Sequence, residues 1–305
     1  MTSTQEGSSP IGLYGKVGSQ PDFFRANAGE FSQAGLDRFF QDAMEALRGE
    51  GTAIPEAPTA FVLGPGGGPV SFLGSFARST DSAGRAFPLV VFARVPTSAL
   101  IDDLPGVLTA QDSFIRAAGG LSTAEANGLT GPDVLDQLRG LSLGVQKAGA
   151  SEPSWDGETT EPLRAALNGS APALAYALRT AIAACDQAVK TGPAGPGTPI
   201  TVDAPAPTAK LREWWIELMC RRLRWRDAYP ALMWTESRLL ITLGHPAPAA
   251  ISYLCNPRHR STRFWPLRTS VTTAIDSAMN GLTPEQRHCV ETSGSSLAEL
   301  MALFS

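Results

Sequence analysis

Two glycine clusters are the first places where this sequence could bind a ligand. Gly64-Pro65-Gly66-Gly67-Gly68-Pro69 lines up backbone N–H groups that could cradle an anion. A P-loop, however, needs Lys and then Ser or Thr after its last glycine, and here Pro69 and Val70 follow. The run reads as a hairpin loop. Gly12-Leu13-Tyr14-Gly15-Lys16-Val17 also joins Gly to Lys, but with two intervening residues instead of four and Val17 where a metal-binding hydroxyl would stand. Neither cluster predicts a nucleotide site.

The metal-ligating and nucleophilic residue types are sparse. His245, His259 and His288 have no second His or Cys at ligand spacing, so no metal and no other cofactor is expected. His259 stands between Arg258 and Arg260. Cys185, Cys220, Cys255 and Cys289 lie 35, 35 and 34 residues apart, yet their flanks share nothing and no C-x-x-C pair exists. They read as buried free thiols of a reducing compartment. No G-x-S-x-G elbow is present between Phe61 and Phe76, which weighs against a hydrolase.

Local charge is more informative than the total of −4. The stretch 210–268 carries 11 basic residues against four acids, a balance of +7, which leaves −11 for everything else. It also holds Trp214, Trp215, Trp225, Trp234 and Trp265, five of the six tryptophans. Arg beside aromatics is the composition of interface hot spots and of nucleic-acid surfaces. It is equally that of a core helix whose Arg stems run along its flanks. The partner reading places an acidic or phosphorylated protein against Arg221, Arg222, Arg224 and Arg226; the weak total charge speaks against nucleic acid.

These residues need a scaffold, and the apolar pattern supplies one. With 43% apolar and 18% charged residues the chain is an ordinary globular one, rich in turns. Residues 1–10 form no secretory signal and are expected to be disordered; no run reaches the ~18–20 apolar residues that span a bilayer. A cytoplasmic protein without membrane insertion is expected. Helical spacing runs through 29–48, β-like runs through 59–63, 70–76 and 87–93, and a helix through 98–118 that Pro105-Gly106 should break. Residues 119–190 read as a helical insertion, clearest over 172–190. The Pro/Gly/Ala-rich segment 191–208 reads as a surface linker. Beyond it, Leu211, Trp214, Trp215, Leu218 and Met219 mark a strongly apolar helix face. Strands at 232–235 and 238–243 and a short helix at 247–254 follow. On this pattern 11–118 and 209–255 make one core, with 256–305 a helical tail. The fold class is α/β (α+β): a mainly antiparallel sheet of about five or six strands flanked by helices.

Gly15-Lys16-Val17-Gly18-Ser19-Gln20-Pro21-Asp22-Phe23 resembles the amino-terminal signature G-K-x-P-S-x-G-D-F of the TagF (ImpM) family of type VI secretion accessory proteins. Ser79-Thr80-Asp81-Ser82-Ala83-Gly84-Arg85-Ala86-Phe87-Pro88-Leu89 is similar to its second signature, S-x-D-x-x-G-R-x-F-P-L. Met233-Trp234-Thr235 with Gly244-His245-Pro246 is a looser third match. The chain departs from the pattern where Gly18 and Pro21 exchange the family's Pro and Gly, at Arg78, and at Met233. The resemblance covers 10–95 well and 230–255 loosely.

Physically these motifs read as architecture. Gly84 suits a turn with unusual backbone angles, and Phe87-Pro88-Leu89 starts a buried strand. Arg85 can fork onto Asp22 or Asp81. The resemblance implies a cytoplasmic post-translational repressor of type VI secretion that binds the forkhead-associated scaffold protein Fha and has no enzymatic activity. The alternatives are an enzyme with a site around Asp22, Asp81 and Arg85, or a structural adaptor that promotes assembly of the secretion system.

Overall fold

The computed structural model of the chain describes residues 10–64, 68–144, 153–195, 199–256, 259 and 261–305. The expectations for residues 1–9, for the glycine-rich tip at 65–67 and for Arg258 and Arg260 lie outside them. Two compact units emerge, one from residues 10–97 and 109–144, the other from 98–108 and 153–305.

The first unit holds β1 (Ile11–Gly15), β2 (Phe24–Ala26), β3 (Thr59–Leu63), β4 (Val70–Ala77) and β5 (Leu89–Pro96), in the order β2-β1-β5-β4-β3. Every neighbouring pair in that order is antiparallel. Connections as short as the one between β3 and β4 allow nothing else, since a parallel return needs a crossover of a dozen or more residues. Alternation along β4 explains the layers. Phe72 and Phe76 share one face; there Phe72 meets Phe31 of α1 (Gly29–Gln33) at 5.5 Å and Phe76 meets Phe40 of α2 (Leu36–Gly49) at 5.2 Å, both edge-on. The helix expected at 29–48 is thus two helices broken at Ala34-Gly35. Ser71, Leu73 and Ser75 take the opposite face, where a methyl group on Gly119 of α3 (Thr97–Ser122) would meet Ser75 Oγ at 3.6 Å.

Helix α3 kinks at Asp103 (φ −155°, ψ 73°), two residues ahead of Pro105. Asp103 Oδ1 accepts a hydrogen bond from the Gly106 N–H at 2.9 Å and so caps the helix that resumes there. The first unit closes with α4 (Gly131–Gly140), opened by a capping box in which Asp133 accepts from the Thr130 N–H at 2.9 Å.

The second unit contains α5 (Glu161–Ala166), α6 (Ala171–Thr191), β6 (Ile200–Pro205), α7 (Ala209–Leu223), β7 (Ala231–Trp234), β8 (Arg238–Leu243) and α8 (Ala249–Cys255). It ends with β9 (Phe264–Pro266), α9 (Thr272–Asn280), α10 (Pro284–Glu291) and α11 (Leu297–Phe304). Its strands run β7-β8-β6-β9, antiparallel except for the parallel pair β6 and β9. The surface linker expected over 191–208 instead carries β6, buried between β8 and β9. Ile200, Val202 and Ala204 recur at the period of two that marks a strand, and the surrounding Pro and Gly masked that signal. Residues 209–255 group with this second sheet and not with residues 11–97.

The class is α/β with a helical C-terminal region, as expected, but the described residues form nine strands where five or six were expected. The unforeseen strands are β1, β2, β6 and β9: β2 and β9 are three residues long, and β1 ends at Gly15, the first residue of the signature motif. Among the described residues no helix is long and apolar enough to cross a membrane.

Candidate functional site

The two sequence signatures, Gly15 to Phe23 and Ser79 to Leu89, fold into one cluster of the first unit. β1 delivers Lys16 from its end, and the turn between β4 and β5 delivers Ser79 to Pro88. Lys16 Nζ donates to Asp81 Oδ2 at 2.7 Å with both side chains buried. Arg85 Nε donates to the same oxygen at 2.7 Å, while Asp81 Oδ1 accepts the backbone N–H groups of Ala83 and Arg85 at 3.0 and 2.9 Å. One carboxylate thus serves two cations and two amides. Lys16, followed by the Arg85 and Ala83 donors, holds the Asp81 carboxyl well below the ordinary aspartate value against the opposing effect of burial.

Backbone bonds complete the join. Ser79 Oγ donates to the Lys16 carbonyl at 2.8 Å, Arg85 Nη2 to the Pro21 carbonyl at 2.6 Å, and the Ser82 N–H to the Gln20 carbonyl at 2.9 Å. Gly84 takes φ +77°, the left-handed value that lets the loop curl over Asp81. Gly15, at φ +147°, lies so close to the start of β5 that a Cβ there would stand 2.0 Å from the Pro88 carbonyl oxygen. Phe23 stacks on Tyr14 at 5.2 Å and meets Phe87 edge-on at 4.8 Å, so the aromatic members of both signatures share one cluster.

The remaining candidate residues are placed differently. Arg85 meets Asp81 through Nε alone, its Nη2 going to the Pro21 carbonyl; Asp22 accepts instead from the Phe23 N–H at 2.7 Å, an exposed local turn. Ser19 Oγ accepts from the Gly131 N–H at 2.9 Å and ties the first signature to α4. Trp234 lies in the second unit, on β7, with Arg212 over its ring at 5.2 Å. Sequence reasoning missed Glu125, which binds the Thr80 N–H and hydroxyl, and Gln41, whose Nε2 donates to the Tyr14 hydroxyl at 2.9 Å. No motif marks either one, since each meets its partner only through folding.

The Trp/Arg stretch is largely interior. Trp214 and Trp215 are fully buried, donating from Nε1 to the carbonyls of Leu297 and Pro205 at 3.0 and 3.1 Å. Arg238 grips Asp203 with Nε and Nη2 at 3.2 and 3.1 Å. Of the four arginines singled out for a partner, Arg221 pairs with Glu217 through Nε at 3.0 Å and Arg222 with Asp186 at 2.8 Å. Arg224 and Arg226 are exposed, Arg224 in the left-handed conformation that caps α7. Cys185, Cys220 and Cys289 carry free thiols, and burial pushes those of Cys185 and Cys220 up to about 12. Among the described residues no group of three or more His, Cys, Asp or Glu is placed to hold a metal ion.

Residues 12–139 match the family model described as the TagF N-terminal domain, type VI secretion system-associated. No curated protein matches the chain in sequence. Among solved structures, the crystal structure of PA0076 from Pseudomonas aeruginosa PAO1 is similar in fold, with a TM-score of 0.50 and 16% identity over 82% of this chain and 96% of that one. The matched segment contains both signatures and the whole Lys16–Asp81–Arg85 cluster, so residues 12–139 are similar to the N-terminal domain of TagF, type VI secretion system-associated.

Proposed function

We propose that the protein is a cytoplasmic accessory regulator of type VI secretion, a post-translational repressor that acts by binding the forkhead-associated scaffold protein Fha. The observation that supports this most is the use made of the charged signature residues. Lys16, Ser79, Asp81 and Arg85 bond to one another and to backbone groups, so they brace a surface and are not held ready for a reaction. A reaction centre around Asp22, Asp81 and Arg85 has less support, because Asp81 is already saturated with donors and Asp22 turns to its own neighbour. No catalytic role is assigned to either.

Partner contact through the second unit would fall on Arg224 and Arg226, since Arg221 and Arg222 already neutralise Glu217 and Asp186. The test is retention of purified Fha by the immobilised protein. Wild type should retain it, and Arg224→Asn with Arg226→Glu should weaken retention while leaving the thermal melt unchanged. Absence of retention by wild type would overturn the proposal. A structural adaptor would also bind, but its loss would lower secretion, whereas loss of a repressor raises it.

A further inference from the structure

A cleft of about 750 Å³ opens in the first unit beside the braced cluster, and the regulator reading above leaves it without an occupant. Its volume lies in the range of about 300–1,000 Å³ usual for ligand sites. Phe23, Met44, Ile54 and Phe87 supply an apolar lining. Around it stand four cations, Lys16, Arg48, Arg78 and Arg85, against one acid, Glu45.

The charges do not cancel within the chain. Asp81 has a single negative charge and is shared by Lys16 and Arg85, so that trio keeps a net positive charge, carried on the Arg85 guanidinium, which is 61% exposed. Among the described residues Arg78 pairs with Glu56 alone, at 3.6 Å, and Glu56 is 88% exposed, so solvent screens the pair to little effect. Arg48 lies in the last turn of α2, exposed, where the helix end favours a cation. Guanidinium forks bind carboxylates two bonds at a time. The lining beneath them gains only from an apolar side chain.

We propose that this cleft binds an acidic segment of a partner protein in which Asp or Glu stands next to an aromatic or aliphatic residue, the acid meeting Arg48 and Arg78 and the apolar side chain resting against Met44, Ile54 and Phe87. A nucleic acid fits less well: the cations ring a pocket instead of tracking a strand, and the chain as a whole carries −4. The proposal does not depend on which secretion component is bound, so it can fail while binding to Fha stands, and the reverse.

The whole purified chain is applied to an array of random heptapeptides built from Asp, Glu, Phe, Leu, Lys, Ser and Gly. Wild type should enrich peptides with an acid beside Phe or Leu. The selected peptides should bind Arg48→Glu/Arg78→Glu roughly tenfold more weakly, a change of ~1.4 kcal/mol. They should bind Arg139→Glu, on α4, as they bind wild type. Arg48→Gln/Arg78→Gln, which adds no new carboxylate, provides the same reading if the reversal impairs folding. No enrichment, enrichment of Lys-containing peptides, or binding unaltered by both double variants would overturn the assignment.

Discussion

Lys16 and Asp81 stand 65 residues apart in sequence and 2.7 Å apart in space, both side chains buried, and Arg85 reaches the same carboxylate oxygen from the solvent side. A buried ion pair adds little over an apolar pair of the same shape, but removing one member strands the other charge. The losses from single substitutions should therefore be unequal. Asp81→Asn leaves two cations facing each other and should lower Tm by roughly 5–10 °C. Arg85→Gln removes only the exposed partner and should cost a small fraction of that. Equal losses in calorimetry would show that Asp81 is not the centre of the cluster.

The same carboxylate should make stability depend on pH. Its folded pKa lies below the ordinary 3.8, mainly because of Lys16, so its contribution is complete above that value and drains away as pH falls below it. Wild-type Tm should drop as pH falls from about 4 to about 2, below the free aspartate value. The gap between wild type and Asp81→Asn should narrow across that window. A constant gap in parallel melts would contradict the assignment.

Two glycines of the signatures should respond differently to the same methyl group. In Gly84→Ala nothing lies within 4 Å of the new Cβ, so only the left-handed φ is penalised, by about 1–2 kcal/mol. In Gly15→Ala the Cβ would stand 2.0 Å from a backbone oxygen that cannot step aside without shifting β5. That variant should lose most of its soluble yield, or melt well below Gly84→Ala. The reverse order would mean that β1 and Pro88 are not so close.

Cys185 and Cys220, with thiols pushed up to about 12 by burial, should be poor nucleophiles. At pH 8 iodoacetamide should alkylate them at least about tenfold more slowly in the native protein than in denaturant, as read by peptide mass spectrometry. Rapid native labelling of either residue would show that the α6 and α7 region is open.

The two signatures were legible in the sequence as a pair, and Asp81 as one of two candidate partners for Arg85 beside Asp22, because a carboxylate four residues from an arginine across a glycine turn is a local relationship. Lys16 as the second partner was not legible: its bond to Asp81 exists only once β1 pairs with β5. For the same reason Glu125 and Arg48 carried no signal, since each reaches its neighbours across the sheet or from a helix end. Ile200 to Pro205 was misread because prolines and glycines on both sides speak louder than three alternating apolar residues. In α7 the periodicity alone identified the buried face, and Trp214 and Trp215 occupy it.

Effector secretion is the most direct test of the claim that this protein restrains type VI secretion. Overproduction of the wild-type chain should lower the amount of secreted substrate in the culture medium, and deletion of its gene should raise it, with levels of the apparatus proteins unchanged. Secretion that falls on deletion, or that ignores both manipulations, would contradict the repressor reading.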